Sequence, residues 1–306
     1  MIDCTFNTIR ELIKAFPSEE ACIKHLEAIR WPDRVVSPFD PESKVYKCKG
    51  GRYKCKNSGK YFNVKTGTLF DNTKVELQSW FLAIWLITCH KKGISSVQLS
   101  RDLGVTQKTA WFMLHRIRNC YGINEGDGQL GGDVEIDETY VGGKEKNKHA
   151  SKKQEGTQGR STKTKTAVVG MVERGGRLIA TQVESVQKAE LEPHVMDQVK
   201  VGSTVYTDEW KAYGGLGSMY LHFVVKHGQG EFVKGKAHTN TIEGFWSLLK
   251  RGIIGIYHFT SKKHLQKYLD EFSFRYNSRG IADGQRLNLM LSQCEARLTY
   301  KRLINK

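Results

Sequence analysis

Downstream of residue 130 the apolar residues change period, and that change limits what the chain can fold into. Strand-like runs occupy Val134 to Val141, Ala167 to Val172, Leu178 to Val183 and Thr204 to Thr207, while helical spacing marks about Gln187 to Lys200 and two long segments starting at Thr241 and Ser261. The order strand, strand, strand, helix, strand, helix predicts a mixed α/β domain over residues 130–306, because strands with apolar faces need helical layers to cover them. With 306 residues and 39% apolar side chains, the chain can bury such a core and still hold further domains.

The preceding residues divide by texture. Residues 1–30 repeat apolar side chains at helical spacing, interrupted at Pro17-Ser18-Glu19-Glu20, which predicts two short helices. Residues 31–75 read as short strand-like pieces with turns at Gly50-Gly51, Gly59 and Gly67, a small module dense in Lys and Arg. Within 76–125, Leu99, Leu103, Val105, Ala110, Leu114 and Ile117 suit two crossed helices around a Gly104-Val105 turn, a helix-turn-helix. Its second helix would start near Thr106 and offer Gln107, Lys108 and Thr109 to bases and phosphates; an ordinary helical hairpin fits the pattern equally. Within the α/β domain, residues 143–166 carry Lys144, Lys146, Lys148, Lys152, Lys153, Arg160, Lys163 and Lys165 against Glu145 and Glu155, with almost nothing apolar. They read as a mobile basic loop that either grips a DNA backbone or is simply solvated.

Charge and composition narrow the partners. Lys and Arg total 48 against 32 Asp and Glu, a net charge of +16 that favours a polyanion, with nucleic acid foremost. The longest strongly apolar run, Trp80 to Ile87, falls far short of the ~20 residues a membrane span needs. The N-terminal residues have no apolar signal core, and seven cysteines at irregular spacing suit reduced thiols, so the expected location is the cytoplasm, on the nucleoid when bound to DNA.

Three acids stand where hard-oxygen ligands would be needed to cut or join a phosphodiester with divalent ions. Asp137 lies in the strand Val134-Glu-Ile-Asp-Glu138, Asp208 ends the strand Val205-Tyr-Thr-Asp208, and Glu243 begins a helix. Each also has a plain structural reading: a solvated edge acid, a helix cap, and a partner of the helix dipole. Lys250 stands seven residues and two turns beyond Glu243, so an acid and a cation share one helix face.

The segments Val134-Glu-Ile-Asp-Glu-Thr-Tyr-Val-Gly-Gly-Lys-Glu-Lys-Asn-Lys-His149 and His238-Thr-Asn-Thr-Ile-Glu-Gly-Phe-Trp-Ser-Leu-Leu-Lys-Arg251 resemble the signatures of one family, the ISXO-like bacterial insertion-sequence transposases with DDE chemistry, similar to Merlin elements. The resemblance runs over essentially the whole chain, including Phe272-Ser-Phe-Arg-Tyr-Asn277. It implies an RNase H-like catalytic core preceded by a zinc-ribbon module and a helix-turn-helix. It matches the family's two Asp to Asp137 and to Asp208 in Tyr-Thr-Asp-Glu-Trp-Lys-Ala-Tyr213, its Glu to Glu243 and its Lys to Lys250, which would hold a phosphate with Arg251 beside it on the DNA. The implied cofactors are two Mg²⁺ or Mn²⁺ ions, with Asp137 shared between them. The implied partners are double-stranded terminal inverted repeats and target DNA, engaged by a homodimer or larger synaptic complex.

One region departs from the family. Its ribbon carries a Cys-Pro-x-Cys pair and a Cys-x-x-Cys pair, whereas this chain has Ser37-Pro38-Phe39-Asp40 and Cys55-Lys56-Asn57-Ser58. Zinc needs four good donors, so a degenerate ribbon without structural zinc is expected, held by packing of Tyr46, Tyr53, Tyr61 and Phe62. The lost cysteines leave a rival reading, a non-catalytic DNA-binding protein derived from a transposase. A nuclease acting by hydrolysis alone is another.

Overall fold

The computed structural model describes residues 2–121, 128–143, 149–153, 155–156, 161, 163–226, 233 and 235–305. Lys144, Lys146, Lys148 and Arg160 of the predicted basic loop lie outside them. The chain forms two compact units, Met1–Glu125 with Gly280–Lys306, and Gly126–Arg279.

In the first unit, helix α1 (Ile9–Ala15) opens with a capping box: Thr8 Oγ1 accepts from Glu11 N, and the Glu11 carboxylate accepts from Thr8 N. Ser18 caps α2 (Glu19–Arg30), so the break at Pro17 restarts the helix as its sequence predicts. An antiparallel sheet of β1 (Val45–Cys48), β2 (Arg52–Cys55) and β3 (Tyr61–Phe62) follows. Of the four rings expected to fill it, Tyr53 and Phe62 are buried, but Tyr46 and Tyr61 are exposed. Trp31 takes their place, meeting Tyr53 and Phe62 edge-on at 5.4 and 6.0 Å between ring centres.

After α3 (Leu77–Cys89) come α4 (Ser96–Leu103) and α5 (Gln107–Tyr121), a helix-turn-helix. Gly104 ends α4 with φ +64°, a left-handed conformation that favours glycine, and Thr106 then caps α5 by accepting from Thr109 N. Leu99, Ala110, Leu114 and Ile117 are fully buried, as their spacing predicts. The unit is completed from far along the chain by α9 (Asp283–Ser292) and α10 (Tyr300–Ile304). Gly284 N donates to Phe6 O, Leu69 N donates to Cys294 O, and His25 Nε2 lies 2.6 Å from Asn288 Oδ1.

The second unit is built on five strands, β4 (Asp133–Gly142), β5 (Lys165–Glu173), β6 (Leu178–Val183), β7 (Thr204–Asp208) and β8 (Leu221–Val225), in the order β6-β5-β4-β7-β8. The β6–β5 and β5–β4 pairs are antiparallel, whereas β4–β7 and β7–β8 are parallel. This is the RNase H-like arrangement. Alternation along β4 sends Val134 and Ile136 into one core with Leu191 and Val195 of α6 (Lys188–Gln198). Val141 joins the opposite core with α7 (Asn240–Gly252) and α8 (Lys262–Asn277). Strand β8 escapes a sequence reading because Leu221, Phe223 and Val224 are exposed, so no buried face imposes an alternation.

Leu99→Ala should lower the free energy of unfolding by about 3 kcal/mol, since Leu99 is wholly enclosed at the crossing of α4 and α5. Chemical denaturation of the full chain measures it, and a loss below about 1 kcal/mol would contradict the packing described.

Candidate active site

The parallel pairing of β4 with β7 aligns Asp133 with Thr204, Val134 with Val205 and Glu135 with Tyr206. Two residues further along the same register stand Asp137 and Asp208. At Asp208 the chain leaves the sheet, while β4 continues for five more residues paired on its β5 side only. Asp208 itself makes the turn, because its Oδ1 accepts from Trp210 N at 2.9 Å. The open notch beside β4 is lined by acids.

One oxygen from each of Asp137, Glu138 and Asp208 lies within 4.8 Å of the others. Glu138 points to the opposite face of β4 from Asp137, where its Oε2 accepts from the buried Tyr213 hydroxyl at 2.9 Å. Burial first, then the charges of Glu138 and Asp208, push Asp137 up to about 7. Burial and the same acids raise Tyr213 well above its ordinary value, keeping it a hydrogen-bond donor. Such a set of hard oxygens fits divalent cations of the Mg²⁺ type.

Helix α7 reaches this cluster through Trp246, whose Nε1 donates to Asp137 Oδ2 at 3.0 Å. The ring lies over Gly170, the register partner of Asp137 on β5; a Cβ there would sit 2.4 Å from the indole. Glycine is thus required for the indole to reach the carboxylate. Glu243 stands one turn before Trp246 but is exposed, its Oε1 accepting from Thr239 Oγ1 at 2.8 Å, and it is not among the three acids that share the 4.8 Å cluster. The structure therefore gathers two of the three expected acids and adds Glu138. Lys250 and Arg251 are exposed at the C-terminal end of α7, with Arg251 Nε donating to Ser247 O. In the first unit, Gln107 and Lys108 are exposed and Thr109 half-buried at the start of α5.

Sequence reasoning missed Glu138, Tyr213, Trp246 and Gly170 as parts of the site. The first three stood inside the quoted motifs, and nothing local separates a supporting role from packing. Gly170, inside an otherwise apolar strand, is the usual mark of close approach by another group.

The strand order defines an RNase H-like domain, with a cluster of acids where β7 ends beside the central β4. The chain belongs to the ISXO2-like DDE transposases: residues 129–277 match the ISXO2-like transposase domain, and residues 17–60 match the transposase zinc-ribbon domain. An uncharacterized protein in transposable element ISH50 of Halobacterium salinarum is 31% identical over 276 residues, covering 86% of this chain and 92% of that protein. An uncharacterized transposase-like protein of Haemophilus influenzae is 34% identical over 100 residues, 32% of this chain and 80% of that one. Among solved structures, the Mos1 transposase paired-end complex with left transposon end is 14% identical over 94% of this chain and 92% of that one, at a TM-score of 0.30, too remote to argue from.

The zinc-ribbon match gives no support to the expected absence of zinc. What surrounds Cys55 is a set of hydroxyls: those of Ser37, Ser43 and Ser58 bond to its sulfur and bring its pKa down to about 6. Asn57 Nδ2 donates to Asp40 Oδ2 at 2.8 Å. No helix among the described residues is long and apolar enough to cross a membrane.

In the metal-free protein, Asp137 binds a proton that the unfolded chain releases between about pH 4 and pH 7. Its contribution to stability is therefore present at low pH and lost as pH rises through about 7. With a chelator present, Asp137→Asn should melt several degrees above the natural chain near pH 8, and the gap should narrow markedly near pH 5. Thermal melts at the two pH values test this, and a pH-independent gap would refute the buried, mutually repelling arrangement.

Proposed function

We propose that the chain is a working transposase that binds transposon-end DNA, cleaves it to leave a 3′-hydroxyl, and joins that end to target DNA. The observation that carries this reading is the convergence of Asp137, Glu138 and Asp208 within 4.8 Å, in a setting that disfavours the charge of Asp137. Two Mg²⁺ or Mn²⁺ ions, when bound there, supply positive charge against the developing phosphate charge and lower the pKa of the attacking hydroxyl.

The chain's own groups would then divide the work. Asp137 keeps one oxygen on the Trp246 indole and turns the other to the cluster. Asp208 contributes from the end of β7, and Glu138, anchored by Tyr213, supplies negative charge from the far face of β4. Glu243 completes the triad by rotating away from Thr239, a side-chain movement open to an exposed residue one turn from Trp246. Lys250 projects from the same helix, one turn beyond Trp246, and holds a phosphate near the scissile bond. Gln107, Lys108 and Thr109 contact the terminal repeats, with Lys144, Lys146, Lys148 and Arg251 on the backbone. Synapsis of two ends would take a homodimer or larger assembly. In the ribbon module, we propose that hydroxyls stand where the family has thiolates, so that hydrogen bonds around Cys55 hold the loops without zinc.

Asp208→Ala and Glu243→Ala should each reduce strand cleavage by roughly three orders of magnitude or more, with end-duplex binding in a gel shift little changed. Cleavage persisting in Asp208→Ala would remove the assignment. Absence of cleavage by the natural chain with Mg²⁺ or Mn²⁺ supplied, with tight end-duplex binding retained, would favour the non-catalytic reading. Lys108→Ala in the full chain should weaken end-duplex binding and make its salt dependence shallower by about one ion. Metal analysis of purified protein should find less than about 0.1 zinc per chain, against the single ion of an intact ribbon; a full equivalent that chelation removes with loss of folding would overturn the metal-free ribbon.

A further inference from the structure

Two residues before Asp137 on β4, and on the same face, the fully buried Glu135 spends both carboxylate oxygens on the entry to α7. Its Oε2 accepts from Thr241 N at 2.8 Å and from Ile242 N at 3.1 Å, two of the amides left unpaired at a helix start. Its Oε1 accepts from Thr241 Oγ1 at 2.8 Å and from Arg174 Nε at 2.7 Å, and His238 Nδ1 lies 3.2 Å away. Arg174, stacked 4.0 Å over the Tyr206 ring, also donates to Lys236 O and His238 O, fixing the chain that leads into the helix. A carboxylate this enclosed, with each oxygen already shared by two hydrogen bonds, has nothing left to offer an ion, and it stands outside the acidic cluster.

What Glu135 does is join the two elements that carry the acids. One residue, Ile136, separates it from Asp137; on the helix one residue, Ile242, separates its partner Thr241 from Glu243. Trp246 on Asp137 is the second tie between the same strand and helix, one turn further along. Two ties at successive turns fix both the depth and the rotation of α7, which a single contact would leave free to pivot. The negative charge also lies at the positive end of the helix dipole, which draws the helix onto the strand.

Resting on the active-site reading above, we propose that Glu135 is a positioning residue for the metal site: it sets how tightly the acids hold divalent cations by holding the helix of Glu243 in register with the strand of Asp137. Outer groups that orient ligands typically change metal affinity by about 10–100-fold when altered. Glu135→Gln fills the same volume, but its amide turns donors toward donors at either the Thr241–Ile242 pair or the Arg174 side.

The test is Mn²⁺ binding to the full-length protein without DNA, followed by electron paramagnetic resonance of free Mn²⁺, alongside thermal melts. Glu135→Gln should weaken Mn²⁺ binding by about tenfold or more. Thr241→Val, which removes one hydroxyl and leaves both amides in place, should weaken it by about two- to threefold with little change in melting. A merely structural role would lower the melting temperature and leave affinity alone, so a folded Glu135→Gln, or failing that a folded Thr241→Val, that binds Mn²⁺ as the natural chain does would overturn the proposal. Asp208→Ala separates the two failures. If it binds Mn²⁺ as well as the natural chain does, the acidic site itself is wrong and the proposal falls with it; if it loses binding while the Glu135 and Thr241 variants keep it, only the positioning role is wrong.

Discussion

Parallel pairing between β4 and β7 is the constraint on which the second unit turns. Parallel neighbours cannot be joined by a tight turn, so the chain must travel through β5, β6 and α6 before β7 can lie against β4. That detour makes the sheet mixed, puts β4 at its centre and brings Asp208 beside Asp137 although the two are far apart in sequence. The end of β7 then leaves one side of β4 without a backbone partner, the natural place for a charged substrate to approach. The cost falls on Asp137, whose burial beside two other acids opposes its ionisation. A carboxylate whose charge is disfavoured in this way gains most from a nearby cation.

Much of this was legible in the sequence because periodicity reports burial. The strands β4 to β7 and helices α6 to α8 announced themselves within a residue or two, and so did the turn at Gly104. β8 did not, since its exposed residues carry no alternation. Asp137 was singled out within a strand and Asp208 at a strand end, each with its motif, but Glu138 was passed over because an acid next to such a candidate looks like ordinary surface. Its inclusion depends on a tyrosine arriving from beyond β7, a contact that no local pattern encodes. Glu243 was singled out by its helix start as well as by the motif, and its side chain rests on Thr239.

In the ribbon module the hydroxyls of Ser37, Ser43 and Ser58 surround Cys55, and the aromatic fill comes from Trp31, outside the strands. Helix α2 braces the module from outside: Tyr53 donates to Glu27, and Arg30 of the same helix donates to Val64 O.

The first unit is interrupted by the second, and its last pieces, α9 and α10, are encoded after residue 280. During synthesis the ribosome therefore makes the whole second unit before the helix-turn-helix unit can close around Phe6, Leu69 and His25. A message cut short anywhere before that point yields a product without a finished amino-terminal unit.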